Sequence, residues 1–82
     1  MSNQEIPSSL RNLLADVLDL SPDQVTPDLN ADGVATWDSF RHLQLILSLE
    51  EEYGVQFDPQ RIPELTSVSL LQAELEKKGA AL

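Results

Sequence analysis

The sequence contains no cysteine and only three glycines, two phenylalanines and one tryptophan among its 82 residues. Without cysteine the chain can form neither disulfides nor thiolate metal sites, so its fold must depend on packing alone. A chain of this length buries only about 60–65% of its unfolded surface, which leaves enough apolar area for one core. We therefore expect a single domain over residues 1–82, with modest stability.

Basic residues are also scarce. Five Lys and Arg against fourteen Asp and Glu give a formal net charge of −9. This charge repels nucleic acid and anionic membranes, and it favours association with basic protein surfaces. No stretch has the length of a membrane-spanning helix, and the first ten residues lack the basic and apolar regions of a secretion signal. These features predict a monomeric cytoplasmic protein that has basic protein partners and binds no nucleic acid or membrane.

The apolar residues recur with a helical period, and no alternating stretch of useful length predicts a strand. Prolines, glycine and short polar residues fill the segment 20–37, which predicts one long loop. The predicted class is all-α, a small four-helix bundle with a long first loop. Its elements are helix one at about 9–19, the loop at 20–37, helix two at about 39–53, a short helix three at about 59–63 and helix four at about 67–78.

Several residues favour these helix boundaries. Ser8 or Ser9 is placed to cap helix one, and Asp38 is placed to cap helix two. Gly54 is expected to end helix two, because glycine adopts the left-handed conformation that other residues avoid.

Helix two carries more apolar residues than one buried face requires. The face expected to meet the core consists of Leu45, Ile46, Leu49 and Tyr53. A second group on the adjoining side consists of Phe40, Leu43 and Leu47, with Gln44, Glu50 and Glu51 beside them. Contiguous exposed apolar residues usually mark a partner site, but the same spacing fits packing beneath the long loop. Periodicity leaves both interpretations open.

The two ends of helix two have a recognisable pattern. Helix two opens with Trp37-Asp38-Ser39-Phe40, and it ends in Glu50-Glu51-Glu52-Tyr53-Gly54. With the apolar positions between them, these segments resemble the acyl carrier protein family, in which Asp-Ser-Leu begins the second helix. The long first loop and the brief third helix are also similar to that family, so the resemblance covers nearly the whole chain.

The resemblance implies that Ser39 holds a covalent 4'-phosphopantetheine arm and that Asp38 is the aspartate that precedes this serine in the family's motif. A phosphopantetheinyl transferase would attach the arm. The arm's thiol would carry an acyl or aminoacyl group as a thioester to a ligase, synthase or transferase with a basic docking surface. The protein itself would be no enzyme, and we expect its one histidine, His42, to pack against the loop rather than act as an acid or base.

The resemblance also implies which residues partner enzymes recognise. The candidates on helix two are Phe40, Arg41, Leu43, Gln44, Leu47, Glu50 and Glu51. The family often has acids where this sequence has Arg41 and Gln44. This departure favours a specialised carrier over the housekeeping fatty-acid carrier.

Two alternatives come from other classes of function. The first is a calcium-binding loop, since Asp28, Asn30, Asp32 and Gly33 match positions one, three, five and six of an EF-hand. Position twelve, however, is Ser39 instead of the glutamate that closes such a site. The second is an unmodified helical module that binds partners through the apolar group of helix two.

Overall fold

Three α-helices separated by two long connections make up the fold. The computed structural model describes residues 6–80. Helix α1 spans Ser8–Leu18, α2 spans Ser39–Tyr53 and α3 spans Val68–Lys77. Single 3-10 turns lie in the connections at Pro22–Gln24, Ala31–Gly33 and Ile62–Glu64, and no strand forms within residues 6–80. The all-α prediction is confirmed.

The connection between α2 and α3 differs from the predicted short helix at 59–63. The chain makes turns through residues 59–61 and one 3-10 turn at Ile62–Glu64. Pro63 lies inside that turn and has no N–H to donate to residue 59, as an α-helix would require. The four-helix count is therefore not confirmed, because this part of the chain contributes no α-helix.

The start of α1 also differs from the sequence expectation. Pro7 precedes the helix, and no side chain caps its first N–H groups. The predicted cap by Ser8 or Ser9 is therefore wrong. The Ser9 hydroxyl instead lies 2.9 Å from the hydroxyl of Tyr53. At the other end, Asp19 adopts the left-handed conformation with φ 58°.

Helices α1 and α2 lie antiparallel, since one hydrogen bond joins the start of α1 to the end of α2 and another joins the end of α1 to the segment just before α2. At one end the Ser9 and Tyr53 hydroxyls meet. At the other end the Thr36 hydroxyl donates to the Leu18 carbonyl over 2.6 Å. The end of α1 is therefore fixed beside the start of α2.

Both predicted boundaries of α2 are confirmed. The Asp38 carboxylate accepts a hydrogen bond of 2.9 Å from the backbone N–H of Arg41. Gly54 ends the helix in the left-handed region with φ 65°, where a side chain would be strained. The cap residues thus set the length of α2 at 15 residues.

The first long connection is attached to the start of α3. The Ala31 N–H donates to the Thr66 carbonyl over 2.9 Å, and the Val68 N–H donates to the Leu29 carbonyl over 3.0 Å. Its apolar residues, Leu20, Val25, Leu29 and Val34, pack into or against the core. The two connections therefore meet at one end of the helices, close to the start of α2.

One cluster of buried apolar side chains joins all three helices. From the helices it includes Leu10, Leu14, Leu18, Leu45, Ile46, Leu49, Val68, Leu71 and Leu75. These residues include the face of α2 expected to be buried, and Tyr53 packs against the cluster from its edge. Among residues 6–80, no helix combines the length and hydrophobicity needed to span a bilayer.

The two faces of α2 give a matched test of this packing. Leu49 is fully buried, whereas Leu47 is 62% exposed. We expect Leu49→Ala to lower the free energy of unfolding by about 2–5 kcal/mol, because it leaves a cavity in the core. Leu47→Ala should change it by no more than about 0.5 kcal/mol. Urea denaturation measures both values, and equal losses would contradict the orientation of α2.

Candidate functional site

Ser39 is the first residue of α2, and its side chain is exposed. The preceding Asp38 has an extended backbone and caps the helix, so the position of Ser39 is set by the cap. Among the described residues, neither the Ser39 hydroxyl nor the backbone N–H groups of Ser39 and Phe40 donate a hydrogen bond. Free N–H groups at a helix start favour a phosphate beside them. The geometry therefore fits a serine that receives a phosphodiester.

An open groove of about 570 Å³ runs beside Ser39. One wall is the start of α2 with the segment before it, and the other is formed by the connection to α3. The residues that line it are Ala31, Asp32, Trp37, Asp38, Ser39, His42, Leu43, Ile62, Pro63 and Thr66. This mixed apolar and polar lining can accommodate a flexible arm attached at Ser39.

His42 makes two hydrogen bonds across this groove. Its Nδ1 accepts from the indole N–H of the buried Trp37 over 3.0 Å. Its Nε2 lies 2.7 Å from the carbonyl oxygen of Ile62, which can only accept. The bonds assign the neutral imidazole with the proton on Nε2. The ring packs against the residues around the groove, and sequence reasoning missed the links it makes to Trp37 and Ile62.

The second apolar group of α2 lies in solvent. Phe40 is 71% exposed, Leu43 is 54% exposed and Leu47 is 62% exposed. They do not pack beneath the long loop, so that interpretation of their spacing is wrong, and the partner site stays a prediction. We call these three residues the apolar surface of α2. Its exposed contiguous side chains are typical of a partner-binding site.

Arg41 and Gln44 lie at the edge of the apolar surface, on the side of α1. The Arg41 guanidinium donates from Nη1 to the Val17 carbonyl over 2.7 Å. A cation at the last turn of a helix is favourable, so Arg41 links α2 to the end of α1. Gln44 is exposed and, with Leu47 and Asp16, lines a second open groove of about 560 Å³.

The two acids expected to meet partners differ in their surroundings. The Glu50 carboxylate accepts a hydrogen bond of 2.8 Å from the backbone N–H of Phe57, and Glu50 is half-buried. Glu50 therefore fixes the position of the segment that follows α2. Glu51 is exposed, and among the described residues it forms no ion pair.

Two of the residues that match an EF-hand use their side-chain oxygens in local hydrogen bonds. The Asp28 carboxylate accepts from the Thr26 hydroxyl over 2.7 Å, and the Asn30 side chain accepts from the Gly33 N–H over 3.1 Å. Asn30 thereby caps the 3-10 turn Ala31–Gly33. Within the part of the chain that the structure describes, no three His, Cys, Asp or Glu side chains lie close enough to hold a metal ion.

Comparison with known proteins adds a second line of evidence. The family model described as "Phosphopantetheine attachment site" matches residues 8–75. The acyl carrier protein of Thermosynechococcus vestitus is 30% identical over 81 residues, which cover 99% of this chain and 100% of that protein. The acyl carrier protein of Picosynechococcus sp. is 30% identical over 79 residues, which cover 95% of this chain and 98% of that protein.

A third relative is named for a polyketide synthase. The "Polyketide-8 synthase acyl carrier protein 2" of Streptomyces avermitilis is 42% identical over 67 residues, which cover 82% of this chain and 74% of that protein. The family match covers α1, α2, most of α3 and the groove beside Ser39. The chain therefore belongs to the acyl carrier protein family, and it carries an acyl group on a covalently attached 4'-phosphopantetheine arm.

Proposed function

We propose that Ser39 is the residue that holds the arm and that a phosphopantetheinyl transferase attaches it there. The exposed hydroxyl at the start of α2 carries this proposal, because a transferase can reach it without moving the core. The Ser39 oxygen would attack the phosphate of coenzyme A that bears the pantetheine, as a base on the transferase takes the hydroxyl proton. The pyrophosphate bond of coenzyme A would break and release adenosine 3',5'-bisphosphate. The free N–H groups nearby favour the phosphodiester that forms on Ser39. When bound, the arm supplies the thiol that this cysteine-free chain lacks.

The other residues of the site position the arm and present the carried group to other enzymes. Asp38 fixes the first turn of α2, and the groove offers the arm a surface to lie against. Because Ser39 and the groove lie on the surface of the protein, the carried group stays accessible to other enzymes. The chain thus acts as a non-catalytic carrier and as a substrate of its partners.

We propose the apolar surface of α2 as the place where partner enzymes dock. Its three exposed side chains need an apolar pocket on the partner. Two exposed acids lie close to this surface: Glu51 is on α2, and Asp16 is on α1 in the groove that Leu47 lines. Both suit basic side chains around the partner's pocket. Arg41 and Glu50 act chiefly within the fold, since each has a hydrogen bond to the backbone of a neighbouring segment.

We propose that this carrier serves a specialised pathway, with its own loaded group, and not housekeeping fatty-acid synthesis. Arg41 and Gln44 interrupt the acidic side of α2, and one relative is named for a polyketide synthase. The enzymes that load such a carrier would be dedicated acyl or aminoacyl ligases, synthases or transferases. We propose a single domain over residues 1–82 and a monomer, which the net charge of −9 favours. The cytoplasmic location stays a prediction from the sequence.

Replacing the proposed attachment serine should abolish modification. Incubation with coenzyme A and a broad-specificity phosphopantetheinyl transferase should add one phosphopantetheine to the wild-type chain and none to Ser39→Ala. Ser8→Ala is the matched control, because Ser8 is also an exposed serine at the first position of a helix. Intact-mass spectrometry measures the gain. Modification of Ser39→Ala, or loss of modification in Ser8→Ala, would contradict the assignment.

Shortening one side chain of the apolar surface should weaken docking without weakening the fold. We expect Leu47→Ala to raise the KM for the transferase about tenfold, the effect of losing roughly 1.4 kcal/mol of binding. Leu70→Ala is the control, because Leu70 is 45% exposed but lies on α3. Its KM should stay within about twofold. Equal KM values for the two variants would place the docking surface elsewhere.

The acids of α2 should separate into two roles. Glu50→Ala should lower the free energy of unfolding by about 1–2 kcal/mol, because the backbone N–H of the buried Phe57 loses its acceptor. Glu50→Gln retains an acceptor oxygen and should lose less. Glu51→Ala should leave stability within about 0.5 kcal/mol but slow association with a basic partner. Urea denaturation and stopped-flow binding make the measurements, and a stable Glu50→Ala would contradict the structural role.

A further inference from the structure

The two walls of the groove beside Ser39 are joined by the side chain of His42. On the α2 side, His42 Nδ1 accepts from the Trp37 indole N–H. On the opposite side, the Nε2–H of His42 donates to the Ile62 carbonyl at the start of the 3-10 turn. The two rings also stack, with centroids 6.1 Å apart and planes inclined by 30°. His42 thus connects segments that are 20 residues apart in sequence.

These bonds require the neutral form of His42. Only an unprotonated Nδ1 can accept from the indole N–H, which is itself a donor and nothing else. When the imidazole gains a proton, Nδ1 also becomes a donor and two N–H groups face each other. The Trp37 bond is then lost. Protonation of His42 therefore breaks the link between the two walls of the groove, and a change of pH tests this link.

The link is close to the proposed attachment residue. His42 follows Ser39 by three residues, so both lie on the same face of the first turn of α2. The backbone N–H of His42 donates to the Asp38 carbonyl over 2.8 Å, which makes His42 part of the capped turn. Ser39, His42 and Ile62 all line the same groove. A shift of the Ile62 wall therefore changes the surface that a transferase meets beside Ser39.

We propose that His42 is a positioning residue of the carrier site, which as neutral imidazole holds the Ile62–Pro63 wall of the groove against α2 and on protonation releases it. The proposal rests on the proposed function, since it takes Ser39 as the attachment residue. His42 contacts neither the phosphate nor the carried group in this role. It acts through Trp37 and Ile62, whose positions define the groove.

Other charged groups near His42 and Ile62 belong to four segments, the last of which is α3 with Glu74. Asp38, at the start of α2, and Asp32, in the turn Ala31–Gly33, line the same groove. Beside Ile62, Arg61 pairs with Glu64 at 2.9 Å and with Glu74 at 3.1 Å. Because these charged groups lie near the same groove, the test must observe His42 and Trp37 directly. The chain has one histidine and one tryptophan, which makes both signals unambiguous.

The first test uses the unmodified wild-type protein and needs no variant. Nitrogen-15 NMR should show the neutral Nε2–H tautomer of His42 at pH 8. As the pH falls to 5.5, the indole N–H resonance of Trp37 and the backbone resonances of residues 62–66 should shift with the same midpoint as the His42 ring. An indole resonance that does not follow the ring titration would overturn the proposal.

The second test measures the rate at which the arm is attached to Ser39. His42→Gln is the reference, since its amide can still donate to Ile62 but does not titrate in this range. The ratio of the wild-type rate to the His42→Gln rate cancels the pH dependence of the transferase itself. We expect this ratio to fall roughly fivefold between pH 8 and 5.5, the size of effect that one lost hydrogen bond produces. A constant or rising ratio would overturn the positioning role.

Failure of the proposed function gives a different result. If the transferase added no arm to Ser39 at any pH, the attachment proposal would fall and the positioning role with it. If the arm were attached normally but the rate ratio and the indole resonance did not respond to pH, only the role of His42 would be wrong.

Discussion

The structure depends on the burial of one face of α2 in a core that has no covalent cross-link. Leu45, Ile46 and Leu49 are each no more than 1% exposed. Because a helix repeats every 3.6 residues, burying these side chains fixes the rotation of α2 about its axis. That rotation leaves the apolar surface of α2 in solvent and places Ser39 at an exposed end. One packing constraint therefore determines where the proposed attachment residue and the proposed docking face lie.

The two connections between the helices form the rest of the site beside α2. The first long connection bonds to the start of α3 through Ala31 and Val68, which brings the loop and the 62–66 segment to the same end of the molecule. The groove beside Ser39 forms where these segments meet α2. A carrier needs such an arrangement more than a deep pocket, since the reacting group is on the arm and must reach other enzymes. Loops of this length are uncommon in so small a domain, and here the long loop contributes lining residues to the groove beside Ser39.

The acidic residues do not form one uniform recognition surface. Asp38 caps α2, Glu50 accepts from the Phe57 N–H, and Glu74 is only 5% exposed. Burial of Glu74 is offset by its ion pair with Arg61 at 3.1 Å, because an unpaired buried carboxylate would be costly. Glu51 and Asp16, in contrast, are exposed and are the acids proposed to meet basic partners. Net charge thus predicts the sign of a partner but not which carboxylates meet it.

The sequence by itself determined the all-α class, the ends of α2 and the residues that line its buried face. These features depend on local physics: apolar period, an aspartate cap and a glycine that accepts positive φ. Tertiary structure alone decided that Phe40, Leu43 and Leu47 are exposed, that Arg41 bonds to α1 and that His42 joins Trp37 to Ile62. It also replaced the expected short third helix by a 3-10 turn. These outcomes depend on which distant segment lies opposite each side chain, and a single helix period carries no information about that neighbour.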